Sequence, residues 1–113
     1  MITTETHGQA ICLVDPNMPR LTAATATAFK DEVSRLIDKG YDRLVIDLAG
    51  VGFVDSSGLG ALVGLLKKVG NRGEIVLCQP ADSVMQMFRI TRMDRVFKFL
   101  PDRAQALDAL KEG

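Results

Sequence analysis

The sequence predicts an α/β domain: a mixed, mostly parallel sheet of four to five strands, with an N-terminal antiparallel hairpin and about four helices packed against it. Three observations carry this expectation. From residue 22 onward, apolar runs of strand length alternate with stretches of helical periodicity, which in one small domain means parallel strands joined by crossover helices. At the N-terminus two strand-like runs are separated only by His7-Gly8, the signature of a hairpin. The chain has 113 residues and is 47% apolar, enough for a single domain to bury roughly two-thirds of its unfolded surface without a metal or disulfide.

Each element follows from a local signal. Gln9 to Val14 is a short apolar run expected to pair with Ile2 to Thr6 through a turn at His7-Gly8. Asp15-Pro16-Asn17-Met18-Pro19 is dense in turn formers. After it, Phe29, Val33, Leu36 and Ile37 recur on one helical stripe, with Thr22 as the cap and Lys39-Gly40 as the stop. Leu44 to Leu48 reads as a strand, and Ser57 to Val69 as a helix stopped by Gly70. Glu74 to Gln79 is largely apolar between its ends, as a strand covered on both faces is. A helix after Pro80 carries Val84, Met87, Phe88 and Thr91, followed by a short strand from Val96 to Phe99. Pro101-Asp102 then opens a last helix with Ala104, Leu107 and Leu110 turned inward.

Charge narrows the function classes. Fourteen basic and fourteen acidic residues cancel, so no overall field draws the chain to nucleic acid or to an anionic membrane. The N-terminus has neither a basic region followed by an apolar stretch nor a small-residue cleavage site, and nowhere do about 18 apolar residues run together. A soluble, cytoplasmic protein is expected. Cys12 and Cys78 lie inside apolar runs, where a free thiol behaves as a small buried hydrophobe, and two such residues make neither a zinc site nor a disulfide framework.

The chemistry concentrates at Asp55-Ser56-Ser57-Gly58-Leu59-Gly60, where a strand ends and a helix begins. A strand followed by Gly-x-Gly suggests a phosphate-binding turn, because the first amides of a helix are unpaired and carry partial positive charge. The glycines here are Gly58, Gly60 and Gly64, one residue longer in spacing than the dinucleotide fingerprint, and the next strand ends in Cys78-Gln79-Pro80 without a ribose-binding carboxylate. No cofactor is expected. A nucleophile elbow needs a general base, yet the single histidine, His7, is expected in the hairpin tip, and Val54-Asp-Ser-Ser-Gly lacks the glycine two positions before either serine. Hydrolysis is not expected.

Helix arithmetic leads elsewhere. At about 100° per residue, Leu59, Leu62, Val63, Leu65, Leu66 and Val69 fall on one arc facing the sheet, while Gly60, Ala61, Gly64, Lys67 and Lys68 fall on the other. Two interior glycines cost on the order of 1–2 kcal/mol relative to alanine, which a partner whose backbone approaches this smooth strip recovers. For Gly58 close packing within the turn is the simpler reading. Asp55 and Ser56 read on residue type as a helix cap. A serine there is also apt for modification, since a phosphate carrying about −1.5 to −2 charges meets free helix amides, whereas a docked partner has to desolvate it beside Asp55.

With these residues in view, Phe53-Val54-Asp55-Ser56-Ser57-Gly58-Leu59-Gly60, preceded by Leu44-Val-Ile-Asp-Leu and followed by Ile75-Val-Leu-Cys and Met87-Phe88-Arg-Ile, closely resembles the STAS-domain anti-sigma factor antagonists. The resemblance runs from about Gln9 to Leu110 within a single domain spanning 1–113. It implies a partner-switching module without catalytic activity of its own. Unphosphorylated, such a module binds a GHKL-type anti-sigma factor serine kinase and frees the sigma factor; phosphorylation by that kinase ends the binding, and a PP2C-type phosphatase restores it. The phosphorylated serine of that family directly follows the motif aspartate, which here is Ser56. Asp55, Ser57 and Gly58 complete the switch turn, and Gly60, Gly64, Lys67, Lys68 and Thr22 form the partner-binding surface. The alternative within the same resemblance is an accessory subunit that docks a transporter ATPase or a sensory complex without phosphorylation control. Two positions depart from the family pattern. Thr22 stands where an aspartate is common, and Arg92 stands where glycine commonly follows the third helix, so that helix either ends differently or bears roughly 1 kcal/mol of backbone strain. Arg89, Arg92 and Arg95 recur at one-turn spacing and read as a solvated helix end, with a basic contact patch as the alternative.

Overall fold

Alternation between two buried faces is what organises the strands. In the computed structural model, which describes residues 1–8 and 10–112, strands β1 (Thr3–His7) and β2 (Ile11–Asp15) pair antiparallel, with Thr3 opposite Asp15 and His7 opposite Ile11. Strand β4 (Arg43–Asp47) pairs parallel with β2, β6 (Glu74–Cys78) with β4, and β7 (Lys98–Leu100) with β6, giving the order β1-β2-β4-β6-β7. The expected mixed, mostly parallel sheet of four to five strands with an antiparallel hairpin at its edge is borne out, with five strands present. A second, two-stranded parallel pair joins β3 (Arg20–Leu21) to β5 (Phe53–Val54).

The helices divide unequally between the faces. Helices α1 (Ala23–Asp38), α2 (Ser56–Val69) and α3 (Asp82–Ile90) supply Phe29, Val33, Leu62, Leu65, Val84 and Phe88 to the larger core, against Cys12, Val14, Leu44, Ile46, Ile75 and Leu77 of the strands. Helix α4 (Arg103–Glu112) covers the other face, where Ala106 and Leu110 meet Ile11, Leu13, Val45, Val76 and Cys78. Both faces are therefore apolar, as parallel strands between helical layers require. Phe88 anchors the far side of the larger core, with its ring edge-to-face against Phe97 (5.8 Å) and Phe99 (5.1 Å). Helix α4 is tied at both ends. Arg103 Nε donates to Asp47 Oδ2 over 2.5 Å, and Arg43 Nη1 donates to the Leu110 carbonyl over 3.0 Å. Asp47 is only 3% exposed, so this ion pair satisfies a carboxylate that the fold buries. Among the described residues no helix is long and apolar enough to cross a membrane.

Several boundaries differ from expectation for identifiable reasons. Gln9, expected to start the second strand, lies outside the described residues, and His7 closes β1 rather than the turn. The pair β3–β5 is missed because two-residue strands leave no periodicity to read. The strand expected at Val96 to Phe99 begins two residues later, since Met93–Arg95 forms a 3-10 turn that delays it. Thr91 caps α3 instead of lying within it, its hydroxyl donating to the Met87 carbonyl over 2.8 Å. Arg92 has φ 61°, so the strained alternative is the one realised. Ala104, expected inward, is exposed, and Ala106 takes the buried position, while Leu107 and Leu110 lie inward as expected.

Cys12 and Cys78 are free and fully buried, as expected. Burial pushes the Cys12 thiol up, and burial together with the neighbouring Asp47 carboxylate pushes that of Cys78 up to about 12. Folding thus favours the protonated thiol. The stability associated with a neutral Cys78 is complete below its ordinary value of 9.0 and falls as pH climbs toward about 12, because the unfolded chain gives up the proton first. Both thiols are expected to resist a disulfide reagent such as DTNB in the native protein and to react only at the rate of unfolding; rapid reaction of either thiol under native conditions would contradict their burial.

Candidate functional site

The site is built by the short pair β3–β5, which delivers two chain segments side by side to the starts of two helices. Leu21 sits opposite Val54. The next residues, Thr22 and Asp55, are the N-cap positions of α1 and α2, both in extended conformation. The Asp55 amide donates to the Leu21 carbonyl over 3.2 Å, which locks the two caps together. The Asp55 carboxylate then serves both helices: Oδ1 accepts from the Gly58 amide at 3.0 Å and Oδ2 from the Ala23 amide at 3.4 Å. One acidic side chain therefore satisfies orphan donors at two helix N-termini, where partial positive charge converges. The Thr22 amide donates to Thr25 Oγ1 over 3.0 Å, completing the α1 end.

The two serines have different surroundings. Both Ser56 and Ser57 are exposed at the first positions of α2. Ser57 also borders a shallow groove between α1 and α2, shared with Ala23, Thr27, Lys30 and Gly60. Gly58 is buried, and a Cβ built on it would overlap the Leu21 carbonyl oxygen, so backbone from β3 fills the space that a larger side chain would need.

The expected docking strip is divided rather than continuous. Gly60 lies open, with nothing within 4 Å of a Cβ position. Gly64 is half-buried beneath the Lys30 side chain of α1, whose Nζ lies 2.7 Å from where a Cβ would stand. Lys67 and Lys68 are exposed at the far end of α2, and Lys68 pairs with Asp38 of α1 at 2.9 Å. Ala61, placed by the helical wheel on the open arc, is only 6% exposed; it is buried because α1 packs alongside α2. The groove's other wall, Ala23 and Lys30, has no counterpart in the single-helix projection. The available signal was the small-residue start of α1, Thr-Ala-Ala-Thr-Ala-Thr-Ala, which lets two helices approach closely.

This architecture is that of the SpoIIAA-like α/β domains. The STAS domain model matches residues 1–106, and the chain belongs to that family. It is 30% identical over 103 residues, 89% of this chain and 90% of the other, to a Thermotoga neapolitana protein described as a candidate anti-sigma factor antagonist. The crystal structure of a similarly described protein from Thermotoga maritima superposes with TM-score 0.88 at 23% identity, covering 97% of this chain and 94% of that one. SpoIIAA in its unphosphorylated form gives TM-score 0.84 at 16% identity over 100% of this chain and 98% of its own, and the phosphorylated form of the Bacillus protein gives 0.72 at 14%, over 96% and 98%.

The contrast between neighbouring glycines is measurable. Gly58→Ala is expected to lower stability by about 2–3 kcal/mol, because the new methyl meets a fixed carbonyl. Gly60→Ala is expected to raise stability by about 0.4–1 kcal/mol, through better helix propensity in open space. Urea unfolding of the two variants checks this; equal effects would contradict the close approach of Leu21 to α2.

Proposed function

We propose that the chain is a cytoplasmic anti-sigma factor antagonist whose partner binding is switched by phosphorylation of Ser56. Unphosphorylated, it docks a GHKL-type anti-sigma factor serine kinase, which then releases its sigma factor. The kinase transfers the γ-phosphoryl group of ATP to Ser56 Oγ, the hydroxyl losing its proton as the new P–O bond forms and ADP departs. A PP2C-type phosphatase hydrolyses the ester and restores binding. The chain supplies the acceptor hydroxyl and the docking surface, and the catalysis belongs to its partners. The observation that carries this reading is the exposed Ser56 hydroxyl directly beside Asp55, at the corner where α1 and α2 both begin.

The physical basis is an asymmetry between fold and interface. In the free domain a phosphate on Ser56 remains in water and faces the first amides of α2, whose partial positive charge offsets part of the repulsion from Asp55. In a complex the same dianion loses solvent while Asp55 stays fixed by its two amides, so repulsion and desolvation add. The names of the Thermotoga relatives support the antagonist role, and the existence of SpoIIAA in both phosphorylation states supports the switch. Gly60 and the upper part of the α1–α2 groove, including Ser57, together with Thr22 at the N-cap of α1, form the surface nearest the switch. Lys30 covers Gly64 and interrupts this surface, so that Lys67 and Lys68 form a separate patch at the far end of α2.

Ser56→Asp is expected to weaken kinase binding roughly thirty- to 150-fold, equivalent to about 2–3 kcal/mol, while leaving the melting temperature nearly unchanged. Calorimetric titration and thermal melts of the same samples test both halves. Incubation with the kinase and ATP, followed by peptide mass spectrometry, is expected to place the phosphate on Ser56; phosphate found only outside Ser56 and Ser57 overturns the site.

A further inference from the structure

A second surface lies on the other side of β5. Strand alternation buries Val54 in the core and turns Phe53 outward, where it is 42% exposed. Across from it, α3 presents Ser83, Gln86, Met87 and Ile90, which fall at i, i+3, i+4 and i+7 and so share one helical face. Phe53, Met87 and Ile90 line a groove of about 330 Å³, and Ile90 is 70% exposed. Single exposed apolar residues are ordinary, but an aromatic and two long aliphatic side chains converging on one groove form a patch. The groove is held in shape: the Ser83 hydroxyl donates to the Gly52 carbonyl over 3.1 Å, fixing the start of α3 to the segment that leads into β5.

Arginines stand near both of its ends, and Asp82, exposed just before Ser83, is the one acidic residue of α3. The Arg20 guanidinium lies 4.3 Å from the centre of the Phe53 ring. At the other end, Ile90 stands between Arg89 and Arg92 in the chain, both exposed. Among the described residues none of these three arginines has a carboxylate within 4.0 Å, although the whole chain carries no net charge. An apolar groove with unpaired cations at both ends is complementary to a helix that carries apolar residues on one face and carboxylates beside them.

We propose that the Phe53–Met87–Ile90 groove receives an acidic amphipathic helix of the partner protein, adding a constant anchor next to the phosphorylation switch. This rests on the reading of the chain as a partner-docking module. Phe53 precedes Ser56 by three residues, so one partner can span both surfaces. The division of labour is specific: the groove sets affinity in both phosphorylation states, and Ser56 sets the difference between them.

Two arms test it. In the first, an amphipathic helical peptide with Leu on one face and Glu beside it is titrated into the full chain, with the Lys counterpart as control, and amide NMR shifts are followed. The Glu peptide is expected to shift Phe53, Met87 and Ile90 and to bind about tenfold more weakly to Ile90→Ser or Arg89→Glu, with the Lys peptide binding weakly to all. Equal binding of the two peptides, shifts confined to other surfaces, or concentration-dependent self-association through these residues would overturn the proposal. In the second arm the same variants are titrated with the anti-sigma factor kinase. A loss of about tenfold in Ile90→Ser, together with the independent loss in Ser56→Asp, supports a joint surface. Full-strength binding by Ile90→Ser and Arg89→Glu, alongside weakened Ser56→Asp, overturns the groove while leaving the switch intact. Peptide binding without any kinase binding by the parent chain instead removes the antagonist reading and leaves the groove standing.

Discussion

The carboxylate of Asp55 is shared between two helix N-termini, and the rest of the site depends on that sharing. Its two oxygens reach the amides of Gly58 and Ala23, so the starts of α1 and α2 are held at one corner although Asp55 and Ala23 lie 32 positions apart in the chain. A side-chain cap is worth about 0.5–2 kcal/mol at one helix. Here it also fixes the relative position of two helices, and with it the groove between them. The approach is made possible by Gly58, whose missing side chain admits the Leu21 carbonyl, and by the β3–β5 pair that sets Leu21 beside Val54. Three local features of the sequence, an aspartate, a glycine two residues into the helix and two short strands, thus act as one unit.

A rigid corner suits an electrostatic switch. Behind α1, α2 and α3 the sheet face is filled by buried aliphatic and aromatic side chains, with Phe29, Leu62, Leu65 and Phe88 fully enclosed. Close packing of that kind resists deformation, so a charge added at the surface is not absorbed by rearrangement of the core. It is felt instead by whatever sits on the surface. The Asp47–Arg103 ion pair and the helix α4 layer lie on the opposite face of the sheet and lock the other end of the sandwich. The hydroxyl-bearing corner thus belongs to the face covered by α1, α2 and α3, and the α4 layer to the other.

Much of this was legible from residue order. The parallel sheet followed from apolar runs separated by helical periods, and the cap role of Asp55 followed from its place before Ser-Ser-Gly. What escaped were features that need a second element. Ala61 reads as open on a single-helix projection, and only the presence of α1 buries it. Gly64 reads as bare, and Lys30 from α1 lies over it. The pair β3–β5 was too short to announce itself by alternation, yet it is the piece that positions the site. Arg92 shows the converse. Its departure from glycine flagged a strained position, and the left-handed backbone is there.

The most direct measurement of the central claim is hydrogen exchange of the unmodified chain, free and bound to the anti-sigma factor kinase proposed as its partner. If the shared corner is the docking point, binding slows exchange in the first turns of both helices, at Ala23 to Thr27 and Ser56 to Gly60, while α4 and β1 exchange as in the free protein. Protection confined to α4 or β1, with both helix starts unchanged in the complex, would contradict it.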